Sequence, residues 1–569
     1  MLNDAGDSKA RHFFAGLCRL RRRHKEISTS TPGSQGLEIE FERPLLAFCR
    51  IIRRRKKNNK IWHTTTDNLL ALPAHLDLLL ADYSLALTPT NAANANDIVS
   101  SRPRIDAILH LLLAHAKRRL LDSSAAETRT TRKLERLYWD YEQMIDLSDT
   151  PRARRRGSTS ICAIDYALWY GGPRDFETNF VVIRARKMIV DGGSRQFLPI
   201  LAAMSFVQRN RVKRKVNKEV YGIFTDGVTW VLLHLDKWNR LSSLRLSWID
   251  GQQHTITNLI SKILDDAIKL RLLSKKPKIS LNSTENRLSP WDVRRWDYGK
   301  DEVDKDKGFT PDSFLPYNTL RTCWIYALGE VAGAISPANK GPGETHHLAE
   351  LLARKNSSHT DVERISCSDV HDLFNLEYEK DDDEIWCVDA SQEYKIPDPL
   401  NSVLEDYKLA FGRAYPHDNL LRVKFEAIFF ILLAHIKKKE YSTDGVAPSD
   451  SLHWQVDVPF TYKPIFCEWP RKTITPYGEI GHVLFYGDPG KIEAILIIVL
   501  TKCPNLSWGM YQAKTHMALL QRARRDAGQP NTPIYGVTTD TTDYEFIRID
   551  SEGKVGYTST ESAEYWVSR

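Results

Sequence analysis

The side chains that most plainly could do chemistry are cations in clusters. Arg21-Arg22-Arg23, Arg53 to Lys57, Arg154-Arg155-Arg156, Arg209 to Lys218 and Lys275-Lys276 recur along the first half of the chain. Residues 1–280 carry 48 Lys and Arg against 28 Asp and Glu, whereas residues 281–569 carry 32 against 44. An excess of that size attracts a polyanion over a Debye length, and Lys and Arg are the side chains that contact phosphates. A solvated surface, or attraction between a basic and an acidic half, is the plainer account of the same charges. The recurrence of the runs, in place of one tail, points to nucleic acid, with DNA and RNA both open. Arg209, Arg211, Lys213, Arg214 and Lys215 are the candidate contacts in the Arg209 to Lys218 run. Residues 361–406, which include the acidic run Glu377 to Glu384, are a candidate surface for a protein partner. Arg53 to Lys57 has the composition of a nuclear import signal, which favours the nucleus over the cytoplasm.

Other reactive types exclude more than they suggest. No pair among the eight cysteines has C-x-x-C spacing, so neither a zinc ribbon nor a disulfide framework is indicated, and a reducing compartment is the default. Gly487-Asp-Pro-Gly-Lys491 lacks the spacing of a phosphate-binding loop and reads as a turn. His115 and His435 fall on apolar helices, where core or capping roles are commoner than ligation. The longest apolar run ends at Leu500 and is broken by Glu493, well short of the roughly 18 residues a membrane span needs. Phe13 to Leu17 is too short for the apolar region of a secretory signal. No membrane partner is expected.

Self-similarity shows which elements must position these residues. Arg102-Pro-Arg-Ile-Asp-Ala-Ile-Leu-His-Leu-Leu-Leu-Ala-His115 reappears as Arg422-Val-Lys-Phe-Glu-Ala-Ile-Phe-Phe-Ile-Leu-Leu-Ala-His435. Lys60-Ile-Trp62 matches Glu384-Ile-Trp386, and Asp82-Tyr-Ser-Leu85 matches Asp406-Tyr-Lys-Leu409. Further on, Ile164 to Gly171 matches Ile480 to Gly487, Val181 to Arg186 matches Ile497 to Lys502, and Val220 to Asp226 matches Ile534 to Asp540. Six blocks in one order indicate two diverged copies of an α/β module.

Each copy predicts an amphipathic helix (75–87, 399–411), then a helix apolar almost all round and therefore buried (104–119, 424–438). A hairpin region follows (161–170, 479–486), then a β-branched run fit for a central strand (Phe180 to Ile183, Ile495 to Val499). A helix (195–208, 509–524) and a closing hairpin complete it, with Asp226-Gly227 as the turn signal in copy one. Thr257 to Leu273 reads as a further helix, Lys275 to Phe314 as a linker and Leu320 to Ala334 as a helix. The expected division is a basic, partly disordered segment (1–58), a first repeat (59–274), a linker with a helical insert (275–382) and a second repeat (383–569).

In this order the chain resembles the PD-(D/E)XK nuclease superfamily. It resembles in particular fungal proteins with an aspartate on the second strand, an E-A-K strand, a Gln-bearing helix and a Y-G-x-x-T-D-G-x-x-W hairpin. Tyr221-Gly222-Ile223-Phe224-Thr225-Asp226-Gly227-Val228-Thr229-Trp230 carries the hairpin match. The resemblance implies an α/β (α+β) fold, with two restriction-endonuclease-like mixed-sheet domains in tandem, each flanked by helices. In that family two carboxylates on adjacent strands hold Mg²⁺, which activates a water, and a lysine on the same strand assists.

Mapped residue by residue, the resemblance implies a site eroded in both copies. Copy one has Asp165 at the aspartate position but Arg184 and Arg186 where glutamate and lysine belong, and Pro199 in place of the helix glutamine. Copy two keeps Lys502 and Gln512 but has Gly481 and Leu500 at the two acidic positions. Asp106 and Glu426 stand at the acidic position of the first helix. A guanidinium cannot ligate a cation, and it cannot act as a base near neutral pH. Asp165 and Lys502 are then catalytic remnants, Arg184 and Arg186 are phosphate contacts, and no metal or cofactor is expected, with Mg²⁺ required only if cleavage survives.

The ordinary alternative for Asp165 is an ion pair with Arg184 or Arg186; for Lys502 it is a solvated strand end. Two rescues of catalysis are a migrated carboxylate (Asp175, Glu177, Asp191, Glu479 or Glu493) and a composite site pooling Asp165 with Lys502. The functional expectations are therefore a cleavage-deficient nucleic-acid binder, a protein-interaction scaffold, and a working nuclease with a relocated site.

Overall fold

The computed structural model describes most of residues 51–273 and 358–560. Residues 1–50, 274–357 and 561–569 lie outside the described residues, as do the connecting segments 54–59, 63–72, 88–100, 147–160, 171–177, 187–195, 213–218, 379–396, 445–451, 487–493, 502–505 and shorter turns. The expected linker and 320–334 helix, Lys213, Arg214, Lys215, Lys502, Asp175, Glu177, Asp191 and Glu493 are among these.

Two mixed sheets form. The first contains β1 (Ile52–Arg53), β2 (Trp139–Asp146), β3 (Ile161–Trp169), β4 (Asn179–Ala185), β5 (Val220–Thr225), β6 (Thr229–Leu235) and β7 (Arg240–Ser247), in the order β1-β7-β6-β5-β4-β3-β2. β4 and β5 run parallel, joined over the sheet by a helix, as parallel neighbours require. The second sheet has β8 (Ser358–Asp361), β9 (Glu377–Tyr378), β10 (Leu452–Thr461), β11 (Ile465–Cys467), β12 (Lys472–Tyr486), β13 (Ile495–Thr501), β14 (Ile534–Thr539), β15 (Tyr544–Ile549) and β16 (Lys554–Thr560). Its main path is β10-β12-β13-β14-β15-β16-β9, with β8 and β11 paired to β12.

Strand for strand the two paths correspond, down to the parallel pairs β4–β5 and β13–β14 and the parallel edges β1–β7 and β9–β16. The duplicated unit thus reaches back to Ile52 and Glu377, earlier than the matching sequence blocks. Residues 358–378, which the sequence places in the linker region, belong to the second sheet through β8 and β9.

The helices are α1 (Leu76–Leu87), α2 (Ser101–Ser123), α3 (Thr128–Leu134), α4 (Leu198–Val212) and α5 (Gln253–Leu273) in the first repeat. In the second come α6 (Cys367–Phe374), α7 (Asp398–Phe411), α8 (Asp418–Asp444) and α9 (Leu506–Asp526). Between Ile105 and Ala116, α2 is buried at every residue but His115. α4 covers one face of the first sheet and α9 the same face of the second. The side-chain-free Gly222 and Gly536 let Met204 and Met517 sit directly on the strands.

The repeats pack on each other reciprocally. α1 lies on α8 and α7 on α2, and one apolar core runs through both repeats. Lys117 donates to the carbonyls of Leu409 (2.8 Å) and Ala410 (3.0 Å) in the last turn of α7. Its counterpart Lys437 donates to Leu85 (2.9 Å) in the last turn of α1. Arg118 pairs with Asp406, and Lys438 with Asp82. The equivalent tyrosines Tyr83 and Tyr407 meet hydroxyl to hydroxyl at 3.3 Å. Residue i touching j′ while j touches i′ is the signature of an approximate twofold relation. The two ion pairs run in opposite directions, so they leave the charge asymmetry between the halves unchanged.

Candidate functional site

Antiparallel pairing of β3 and β4, with Tyr166 opposite Ile183, sets Asp165 beside Arg184. Asp165 Oδ2 accepts the Ala185 N–H at 2.8 Å, and Arg184 Nε lies 3.9 Å from the same oxygen. Arg186 reaches Oδ1 at 3.1 Å. The remnant aspartate is therefore flanked by both arginines at the carboxyl end of β4, and its side chain is only 14% exposed.

In the second repeat the corresponding positions take up different roles. Leu500 is buried in the core under α9. A Cβ on Gly481 would meet nothing nearer than the Val499 carbonyl at 3.6 Å, so the fold would admit a side chain there. Glu479 is exposed on β12 opposite Pro459. Gln512 is buried on α9.

Glu426 Oε1 accepts Arg422 Nε at 2.7 Å and lies 3.1 Å from His482 Nε2. Arg422 closes the group by gripping both oxygens of Asp457, at 2.7 and 3.0 Å. Burial alone would raise the Glu426 carboxyl, but the Arg422 charge and the His482 hydrogen bond outweigh it and hold the group below the ordinary glutamate range. Burial acts against Asp457 as well, and Arg422 brings it down to about 2. Burial would also lower Arg422, yet the two carboxylates hold it above its usual value. His482 is pushed down by burial.

Asp106 is the counterpart of Glu426, and its state is the opposite. Its Oδ1 accepts the Tyr141 hydroxyl at 3.0 Å, and that hydroxyl lies 2.6 Å from His110 Nε2. Burial raises Asp106 to about 7, with Arg102 opposing and Glu426 adding to the rise. The difference lies in the arginines: Arg422 folds back on its own acid, whereas Arg102 donates to Asn419 of the other repeat at 3.0 Å. Both acids lie inside the junction between the repeats, 1% exposed.

Among the described residues, the expected phosphate contacts do not converge. Arg184 and Arg186 sit where β4 and β5 end together, at Ala185 opposite Thr225. Arg209 lies near the end of α4, with Nε bonded to the Ser205 carbonyl at 3.1 Å, and Arg211 follows in the last turn. The run continuing from there leads back to Val220, the opposite end of β5. Six residues at about 3.3 Å separate the two ends by roughly 20 Å.

The Arg422–Asp457–Glu426–His482 group escapes the sequence-level reading. Its one local signal is an arginine four residues before the helix acid, Arg102/Asp106 and Arg422/Glu426, present in both copies. Comparison with known proteins gives no match: no family model, no curated protein and no solved structure matches this chain.

Proposed function

We propose that this protein is a nuclease-like molecule whose metal-dependent site has been dismantled in both repeats, and whose basic first repeat binds nucleic acid. The observation that carries the reading is the setting of Asp165, with Arg186 at 3.1 Å and Arg184 at 3.9 Å. Among the described residues, one carboxylate lies between the two guanidinium groups. A divalent cation entering it would be repelled by both arginines, whereas a phosphodiester would be offered two planar forks. In the second repeat the corresponding residues are a glycine, a core leucine and a glutamate committed to Arg422 and His482. Neither set fits a hard cation, which needs several oxygen ligands. The excess of 48 basic over 28 acidic residues in 1–280 supports a polyanionic ligand.

The test is binding and cleavage side by side on the full chain. Labelled duplex DNA, duplex RNA and single strands are expected to bind with affinity that falls steeply with salt, and to remain intact with Mg²⁺ or Mn²⁺. Asp165→Asn removes the carboxylate between the arginines; it is expected to tighten binding and to steepen the log–log salt slope by about one. A flat salt response, or metal-dependent cutting abolished by Asp165→Ala, overturns the reading.

A further inference from the structure

We infer that the turn between β6 and β7 is a stacking finger for an unpaired nucleobase, built on Trp238 and separate from the Arg184–Arg186 end of the sheet. Trp238 is 56% exposed, which is unusual for the side chain with most apolar area to hide. Lys237 Nζ lies 4.2 Å from its ring centroid, and Arg240 Cζ also 4.2 Å.

The turn beneath the ring is rigid. Asp236 Oδ1 accepts the N–H groups of Trp238 and Arg240, both at 2.9 Å, and Oδ2 accepts Arg240 Nε at 2.7 Å. Asn239 takes the left-handed conformation at φ 61° and donates to the Asp236 carbonyl at 2.9 Å. Gln208 of α4 donates to that same carbonyl. An aromatic ring presented by so constrained a backbone loses little entropy on meeting a ligand.

The second repeat supplies an internal control. There Asp550 Oδ1 accepts Glu552 N–H (2.8 Å) and Lys554 N–H (2.9 Å), Gly553 has φ 92°, and Gln521 donates to the Asp550 carbonyl. The acceptor aspartate, the left-handed residue and the helix glutamine are kept, but Glu552 stands where Trp238 does and pairs with Lys554 at 3.0 Å. The turn therefore does not need the tryptophan, and the ring is free to serve a ligand.

The surroundings favour a nucleic acid over an apolar partner. Among the described residues no other exposed large apolar side chain lies on β6, β7 or their turn, so the ring is not part of an apolar patch on these strands. Two cations flank the ring instead: Arg240, which Asp236 pairs, and Lys237, which also lies in the field of Glu219. Bases of any sequence stack on such a ring while the cations meet the backbone. Arg240 is fixed by Asp236 as one wall; the exposed Lys237 swings from the ring to a phosphate.

The inference depends on the proposal that the ligand is nucleic acid, so the experiment separates the two. Full-length wild type, Trp238→Ala, Trp238→Phe and Trp238→Glu are titrated by fluorescence anisotropy with labelled poly-dT and with a blunt duplex. Trp238→Glu copies the second repeat, and matched thermal unfolding confirms folding. The expected result is about a tenfold loss of poly-dT affinity in the Ala and Glu variants, near-wild-type affinity in the Phe variant, and less than about a twofold change for duplex. Wild type that binds poly-dT while Trp238→Ala binds it equally well overturns the finger and leaves nucleic-acid binding standing. Equal losses on poly-dT and duplex overturn base stacking. Wild type that binds neither probe overturns both readings. Trp238-dependent sedimentation with phosphatidylserine vesicles, alongside unchanged oligonucleotide affinity, reassigns the ring to a membrane.

Discussion

Replacing Arg422 by methionine keeps the length of the side chain and removes the one cation shared by Glu426 and Asp457. In the wild type, Asp457 falls from the ordinary aspartate value of 3.8 to about 2. A folded-state value below the unfolded one means stability that is present above about pH 4 and lost as the pH falls towards 2. For Asp457 it amounts to about 2 kcal/mol. Once Arg422 is gone, the dominant influence on both carboxyls is burial, which raises them, and the sign reverses. The variant is then most stable in acid, where its two buried carboxyls are protonated, and loses stability as the pH rises. Breaking a buried ion pair from one side costs about 3–5 kcal/mol near neutrality. Each unit by which a freed carboxyl rises is about 1.4 kcal/mol, most of it relieved by pH 4. The difference between wild type and Arg422→Met is thus expected to be about 3–5 kcal/mol at pH 7 and to contract by about 1–2 kcal/mol at pH 4. Urea unfolding followed by circular dichroism at the two pH values measures it. A difference that is the same at both, or below about 1 kcal/mol at pH 7, refutes the claim that one guanidinium sustains two buried carboxylates.

Asp106 obeys the opposite sign. Its folded-state value of about 7 exceeds 3.8, so the wild type loses stability as the pH climbs from about 4 to 7; Asp106→Asn should flatten that part of a thermal-unfolding profile, and parallel curves would count against it. Tyr83→Phe and Tyr407→Phe should each cost about 1 kcal/mol, with the double variant costing less than their sum, because both remove one hydroxyl–hydroxyl contact; strict additivity in a double-mutant cycle would contradict this. Gly412→Ala should destabilise by about 3 kcal/mol or more, since φ is 55° and a Cβ would run into the Glu135 carbonyl of the first repeat; a change under about 1 kcal/mol in urea titration would show that the junction yields.

Much of the fold is legible because duplication and periodicity are carried by apolar residues. The runs Phe180 to Ile183 and Ile495 to Val499 become the central strands β4 and β13. Asp226-Gly227 makes the β5–β6 turn, with Asp226 Oδ1 accepting Thr229 N–H at 2.7 Å. Edge strands are a different matter. β1 and β9 are two residues each, too short for any alternation to mark them. β7 is partly legible at best: Arg240 to Ser247 holds three serines and two arginines, and Ser242 and Ser243 are buried by position in the sheet, not by polarity. At the site, the pairing of Asp165 with an arginine follows from strand adjacency, whereas the arrest of Glu426 needs Asp457. That residue lies 31 positions away and at φ 51°, a backbone state no pattern of residue types announces.

Two copies of one fold in one chain separate what folding requires from what it does not. Where both repeats keep the same pair, as with Gly222 on Met204 and Gly536 on Met517, or Gln208 on Asp236 and Gln521 on Asp550, the contact belongs to the architecture. Where the framework is kept and the outward side chain differs, folding cannot be the reason for the difference. By that criterion Trp238 against Glu552 is a difference that folding does not require, whereas Arg184 against Leu500 exchanges a partly buried, ion-paired cation for a core side chain. Both differences leave the first repeat the more positive: a neutral tryptophan against a glutamate, and an arginine against a leucine. If the ligand is a polyanion, a single repeat should account for its capture. Charge reversal at Arg184 and Arg186 should then abolish duplex binding, while reversal of Arg522 and Arg525, on α9 and outside the core, should leave it within about twofold. Equal losses from both reversals would mean that the asymmetry between the copies has been misread.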